Sequence, residues 1–210
     1  MKRTLKRGIL AALTAAALMQ TSVSAHTPSG PFADVPLDSW YCEYVTIAAD
    51  FGVINGRTET MFMPDDTITC AEAVKMAACA HASMHHYDIF DFTGDHWYDK
   101  YVRCCQDNGI IEPHVKLNMN KPATRAEIAY LFSRVDKTGM YINQVPITDI
   151  PDVDGDTPYY HEIMDMYEMG AATGDANMAF RPNDNVKRSE AAAMITRVMC
   201  YDLRIGLPKG

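Results

Sequence analysis

Thr69-Cys70-Ala71-Glu72, Thr124-Arg125-Ala126-Glu127 and Lys187-Arg188-Ser189-Glu190 are three versions of one four-residue box. Each follows a turn and opens a stretch rich in Ala, Met, Ile and Val. Upstream of the boxes, Gly52, Gly109 and Gly170 recur 57 and 61 residues apart, and the aromatics Trp40, Trp97 and Tyr159 recur 57 and 62 apart. The box glutamates recur at 55 and 63. Landmarks that repeat in one order at nearly one period identify an internal repeat, which decides the architecture before any local reading.

The boxes read as helix starts. Thr69 with Glu72, and Thr124 with Glu127, fit the capping box: the hydroxyl accepts the N3 amide and the carboxylate accepts the N-cap amide. In the third copy Glu190 keeps its half, but the Lys187 ammonium cannot accept a hydrogen bond, so that helix start is weaker by about 1 kcal/mol. Helices are expected over 70–82, 125–135 and 188–201.

A second helix precedes each turn. Trp40, Tyr44, Ile47, Ala48 and Phe51 fall at helical spacing before Gly52, as do Trp97, Tyr101, Cys104 and Cys105 before Gly109. The third set is Tyr160, Ile163, Met164 and Tyr167, before Gly170. A glycine there suits the C′ position. The turns contain Gly56-Arg57 in copy one and Gly174-Asp175 in copy three; copy two has Pro113-His114 instead. Phe62-Met63-Pro64 and Phe180-Arg181-Pro182 follow, against Leu117-Asn118-Met119 in copy two. Each unit begins with an aspartate segment: Phe32-Ala33-Asp34, Phe92 to Asp95, and Ile147-Thr148-Asp149. The class is all-α, built from three helix-loop-helix repeats.

Arg125 and Arg188 sit in a first helical turn, where the macrodipole disfavours a cation. Such a residue needs a carboxylate partner or a bound anion, and helix N-terminal amides beside a guanidinium suit a carboxylate or phosphate.

The outer bounds are simpler. Lys2, Arg3, Lys6 and Arg7, an apolar run from Gly8 to Met19, and Val23-Ser24-Ala25 have the form of a secretory leader over 1–25. Its apolar core is too short to span a bilayer, which takes roughly 20 residues. No cysteine marks a lipoprotein cleavage point, and no later stretch is apolar enough to cross a membrane. Copies are expected over 26–85, 86–145 and 146–210, with a tail from Asp202 too short to fold alone. The formal charge of −8 becomes −12 without the leader's four cations. Such a chain is unsuited to nonspecific nucleic-acid binding. Any anionic ligand needs a local basic pocket. Six cysteines in an exported chain leave disulfides and buried free thiols both open; Cys42, Cys79, Cys104 and Cys200 fall in helix-like stretches.

The ordered set Phe-x-Asp-Val, Trp, Gly-x-Ile-x-Gly, Phe-x-Pro and Ile-Thr-x-Ala-Glu resembles the S-layer homology (SLH) domain of bacterial surface proteins, in three tandem copies. That resemblance implies a three-pronged pseudo-trimer around a central three-helix bundle. It further implies grooves that bind secondary cell-wall polymers, often through a pyruvate ketal on an amino sugar, and noncovalent retention at the cell wall without catalysis or cofactor. The family's groove arginine is matched by Arg125 and Arg188, while Cys70 stands there in copy one and Arg57, after Gly56, offers a substitute cation. Gly56 and Gly174 match the turn glycines. Trp40 and Trp97 are candidates to stack on a sugar, although filling the core is the commoner fate of such a ring. One or two competent grooves at most are expected. The alternative is a surface scaffold that binds another protein and has degenerate grooves.

Other signals are weaker. Asp152-Val153-Asp154-Gly155-Asp156 lacks the glycine and glutamate spacing of an EF-hand. His81, His85 and His86 read as polar linker between copies rather than as metal ligands. Cys70 at a helix start has no histidine placed beside it by the sequence.

Overall fold

The computed structural model describes residues 30–136, 138–145 and 150–207. The leader segment and Ile147-Thr148-Asp149 lie outside them. Six α-helices carry the described fold, with no strand among the described residues: α1 (Cys42–Asp50), α2 (Cys70–Met84), α3 (Asp99–Asp107), α4 (Arg125–Ser133), α5 (Tyr160–Met169) and α6 (Arg188–Met199). A 3-10 turn, Tyr201–Leu203, follows.

The boxes start α2, α4 and α6. Thr69 and Thr124 accept from the N3 amides, and Glu72 and Glu127 accept from the N-cap amides at 2.8 Å. Only the glutamate half closes in the third box, Glu190 accepting from Lys187 N at 3.0 Å. The glycines end the outer helices as expected. Gly52 and Gly109 have φ of +67° and Gly170 of +81°. The following amides of Val53, Ile110 and Ala171 each reach back five residues, to Ala48, Cys105 and Met166. This is the 6→1 bond of a Schellman motif, and it turns the next two residues of each copy into the core.

The central helices α2, α4 and α6 pack on one another. Small side chains permit it: Ala73, Ala77, Ala129, Ala191 and Ala192 are fully buried. Outer helices make their main contacts outside their own copy. Instead α3 packs on α2, α5 on α4, and α1 on α6, so each outer helix leans on the central helix of the copy before it, and the first copy closes on the last.

The segments that enter the boxes tie this ring together. Ile68 N–H donates to Val186 O at 3.1 Å, Val186 N–H to Ala123 O at 3.1 Å, and Ala123 N–H to Ile68 O at 2.9 Å. The tail is part of the fold. Arg204 donates to Asp136 at 2.9 Å in a buried pair, and Ile205 N–H donates to Gly170 O.

Several expectations change. His81 belongs to α2, is buried, and holds its Nδ1 2.9 Å from Tyr87 Oη, because the alanine-rich helix runs on to Met84. Cys200 is an extended C-cap rather than helical. The six cysteines are all free thiols.

Candidate functional site

The second residue of each box points at the glutamate of the next. Arg125 Nη1 lies 3.5 Å from Glu190, Arg188 Nη1 lies 3.5 Å from Glu72, and Cys70 Sγ lies 3.4 Å from Glu127. Both arginines also clamp the loop of the next copy. Arg188 donates from Nε to Phe62 O at 2.8 Å and from Nη2 to Asn55 O at 2.7 Å, its guanidinium 4.6 Å from the Phe62 ring. Arg125 donates from Nε to Phe180 O at 2.6 Å, 5.0 Å from that ring. Both side chains are 9 % exposed, and burial lowers both pKa values. The first-turn cations thus have carboxylate and carbonyl partners.

The N1 and N2 amides beside them are occupied as well. Arg188 and Ser189 donate to Asp66 O and Pro64 O, and Arg125 and Ala126 to Asp184 O and Pro182 O. An anion binding directly to those helix ends would have to displace backbone carbonyls. The guanidinium edges and the surface around them are what remains.

That surface is a groove at Arg188. Gly56, Arg57, Phe62, Glu72, Lys75, Trp97 and Arg188 are among the residues lining a cavity of about 140 Å³. Four sequence-predicted residues (Gly56, Arg57, Trp97 and Arg188) meet there from three different copies. Arg57 pairs with Glu72 and, at 3.5 Å, with Asp66. Glu72 therefore receives both arginines on one oxygen while the other caps α2. Lys75, one helical turn beyond Glu72, was missed in the sequence; its spacing on the expected helix was the available signal. Gly56 is required by close approach, since a Cβ there would run into Thr58 O, Met61 O and Phe32.

Trp97 is 57 % exposed and Trp40 59 %, so neither fills the core. Each stands one residue before an N-cap tyrosine, Tyr98 or Tyr41, and contacts it edge-on. Trp40 stands just ahead of α1, which packs on α6, as Trp97 stands just ahead of α3, which packs on α2, so the repeat counterpart of the Arg188 groove is formed by Arg125 and the loop it clamps. Gly174 lies in that second groove's loop with φ of +70° and Tyr167 Oη 2.6 Å from where a Cβ would stand.

Copy three needs its register corrected. Asp34 accepts from the amides of Phe62 and Met63, both at 2.7 Å, and the residue doing this for Phe180 and Arg181 is Asp152, not Asp149. Tyr159 likewise matches the N-cap tyrosines Tyr41 and Tyr98, and Pro158 takes the tryptophan's place.

With that register, losses scattered through the sequence collect at one location. The third groove has Cys70 for arginine, Leu117 for phenylalanine, Pro113 for the turn glycine and Pro158 for tryptophan. It is also filled. Tyr130, where the other central helices carry Lys75 and Ala193, is 1 % exposed and packs 4.7 Å from the Tyr159 ring. Its hydroxyl accepts from Glu112 N–H at 2.9 Å, and Arg134 stacks on it while pairing with Glu112 and Glu162. Burial, with Glu127 adding, pushes the Cys70 thiol up to about 12, the opposite of an activated nucleophile.

Outer helices packed on the central helix of the preceding copy, with one cavity lined by residues of three copies, define a repeat-built all-α module. Residues 31–74 and 149–192 match the family profile of the S-layer homology domain. Copy two, with its altered turn, falls between those matches. The chain is 30% identical over 49% of its length to the Surface-layer 125 kDa protein of Lysinibacillus sphaericus, covering 10% of it. It is 24% identical over 90% of its length to the S-layer protein of Bacillus thuringiensis subsp. finitimus, covering 24% of that protein. It is also 24% identical over 75% of its length to the Amylopullulanase of Thermoanaerobacterium thermosulfurigenes, covering 9%. The chain thus spans a quarter or less of these relatives. No helix among the described residues is long and apolar enough to cross a membrane.

Proposed function

We propose that this chain is a noncatalytic module that binds a secondary cell-wall polysaccharide and holds the protein at a bacterial surface. The observation that carries this reading is the convergence of Arg57, Arg188, Lys75 and an exposed Trp97 around one cavity. An exposed indole offers a flat apolar face for sugar C–H groups, and clustered cations suit a carboxylate or phosphate on the glycan, a pyruvate ketal included. Similarity to S-layer proteins and to a much longer amylopullulanase supports a module that recurs in proteins of different kinds, for attachment rather than for chemistry. The seam at Arg188 holds a cavity and the seam at Cys70 is filled by Tyr130, so one or two grooves per chain engage the polymer.

Retention on purified cell-wall sacculi tests the proposal, before and after extraction of the polymer. Extraction should abolish retention, and Trp97→Ala, which removes an exposed ring, should weaken it without lowering thermal stability. Unchanged retention after extraction would turn the reading toward a surface scaffold that contacts protein.

A further inference from the structure

The end of α5 is covered by two other segments of the chain. Tyr141 Oη donates to Asp165 at 3.2 Å, and the next two amides, of Ile142 and Asn143, both donate to Glu168 O at 2.9 Å. The tail lies alongside, with Ile205 N–H on Gly170 O at 2.9 Å and the Asn143 side chain bridging Tyr167 O and Ile205 O. These segments satisfy carbonyls that a helix C-terminus leaves without partners.

The corresponding end of α3 has no such cover. Gly109 matches Gly170, so Cys104 matches Asp165 and Asp107 matches Glu168. Tyr87 repeats the tyrosine contact, its hydroxyl 3.4 Å from Cys104 Sγ. Beyond that tyrosine the two linkers diverge, and no backbone amide among the described residues donates to Asp107 O or Gly109 O. Between the linker and α3 lies instead a cavity of about 550 Å³, with Tyr87, Phe90, Asp107 and Asn108 among its walls. Cavities of about 330 and 300 Å³ border it, the first sharing Tyr87, Ile89 and Lys100 with it and the second Phe92, Arg103 and Asp107. None of the three shares a lining residue with the cavity at Arg188.

The row is apolar in its walls and negative in its charge. Phe90 is 87 % exposed, and Phe92 is exposed beneath the Arg103 guanidinium, 5.1 Å from its ring. Lys100 is already paired with Asp91 at 3.1 Å, and Arg103 with Asp107 at 3.7 Å. Asp88 and Asp99 line the flanking cavities and belong to no ion pair among the described residues. The carbonyl end of the α3 dipole adds to the same sign.

We infer that this row of cavities is a docking groove for an extended, apolar and basic segment of a partner polypeptide. The segment's main-chain amides reach Asp107 O and Gly109 O as those of Ile142 and Ile205 reach Glu168 O and Gly170 O, and its side chains cover Phe90 and Phe92. The chain's own tail sets this chemistry, because Arg204-Ile205-Gly206-Leu207, which covers α5, is itself basic and apolar. Three cavities in a row suit an extended chain better than a compact ligand, and walls rich in Phe, Tyr and Arg are those of protein-contact surfaces.

A capped synthetic peptide with the sequence of residues 204–209, titrated into the ¹⁵N-labelled chain, tests the groove. The amides of Ile89, Phe90 and Asn108 to Ile110 should shift, with a dissociation constant of about 0.1–1 mM. Phe90→Ala, which removes an exposed ring, should weaken the titration about tenfold, and Asp88→Lys about threefold. No shift at the end of α3, or unchanged binding by both variants, would overturn the docking groove. So would shifts confined to Glu168–Ala171, where the peptide displaces the chain's own tail. A methyl N-acetylhexosaminide that moves the α3 amides when the peptide does not would make the cavities a sugar subsite and overturn it as well. No wall polymer is present in the titration, so polymer retention and peptide docking stand or fall separately.

Discussion

Arg188 Nη1 lies 3.5 Å from Glu72 Oε1, so the last box of the chain is bound to the first. The same contact joins Arg125 to Glu190, and a thiol takes its place between Cys70 and Glu127. Every box is thus both a helix cap and a link to its neighbour. Glu72 and Glu190 each give one oxygen to their own helix start and turn the other toward the guanidinium of the preceding copy in the ring, whereas Glu127 meets both its helix start and the Cys70 thiol with one oxygen. Architecture and candidate binding surface therefore depend on the same side chains.

That double duty makes Glu72 the most sensitive of the three glutamates. It caps Thr69 and holds both Arg57 and Arg188, whereas Glu190 caps Lys187 and holds Arg125. Removing a cap costs about 1 kcal/mol, and leaving a buried cation without its carboxylate costs more. Glu72→Ala should lower unfolding free energy by about 3 kcal/mol, and Glu190→Ala by about 2 kcal/mol. Denaturant unfolding of the two variants measures the difference.

Lys187→Thr should have the opposite effect. Its ammonium cannot serve the N3 amide of α6, and its bond to Asp65 at 2.8 Å lies between two exposed side chains. An exposed pair is worth less than about 1 kcal/mol, while a completed cap gives about 1 kcal/mol. The variant should gain a few tenths of a kcal/mol, read as a raised unfolding midpoint at unchanged slope.

The free thiols should divide by reactivity. Cys70 is 1 % exposed, and burial beside Glu127 pushes its pKa up to about 12; Cys105 is fully buried and likewise raised. At pH 8 about one Cys70 in ten thousand is thiolate. Iodoacetamide on the native chain should label the half-buried Cys200 and spare Cys70 and Cys105 until denaturant is added. Peptide mass spectrometry would read the order, and early labelling of Cys70 would contradict the filled third groove.

The period, the boxes and the terminating glycines were legible because each is a local device: a cap acts three residues away and a Schellman turn five. What the sequence did not reveal was which copy each helix serves. Trp97 and Arg188 share a cavity only because α3 leans on α2 while α6 closes back on the first copy's loop. For the same reason the isolated substitutions at Cys70, Pro113 and Leu117 looked like independent imperfections in two copies, and Tyr159 was aligned with the tryptophans where Pro158 stands. The register error at Asp149 had a similar origin. Ile147-Thr148-Asp149-Ile150-Pro151 imitates the first copy, yet the hydrogen bonds to Phe180 and Arg181 select Asp152. A short motif cannot choose between two aspartates three residues apart; a carboxylate reaching two amides can.

The tail bears the clearest pH dependence. Asp136 and Arg204 meet at 2.9 Å with side chains 4 % and 1 % exposed. Burial pushes the Asp136 carboxyl upward, but donors from Thr138 and Arg204 outweigh it and hold the carboxyl below its ordinary value of 3.8. A folded-state pKa lower than the unfolded one contributes stability that is present above about pH 4 and is lost as pH falls through the folded value. Asp136→Asn should cost about 3 kcal/mol at pH 7, because Arg204 stays buried without a counter-ion. Wild type should lose stability between pH 5 and pH 2 more steeply than the variant, so that their melting temperatures converge in acid. Parallel melting curves across that range would show that the pair does not tie the tail to the linker before α5.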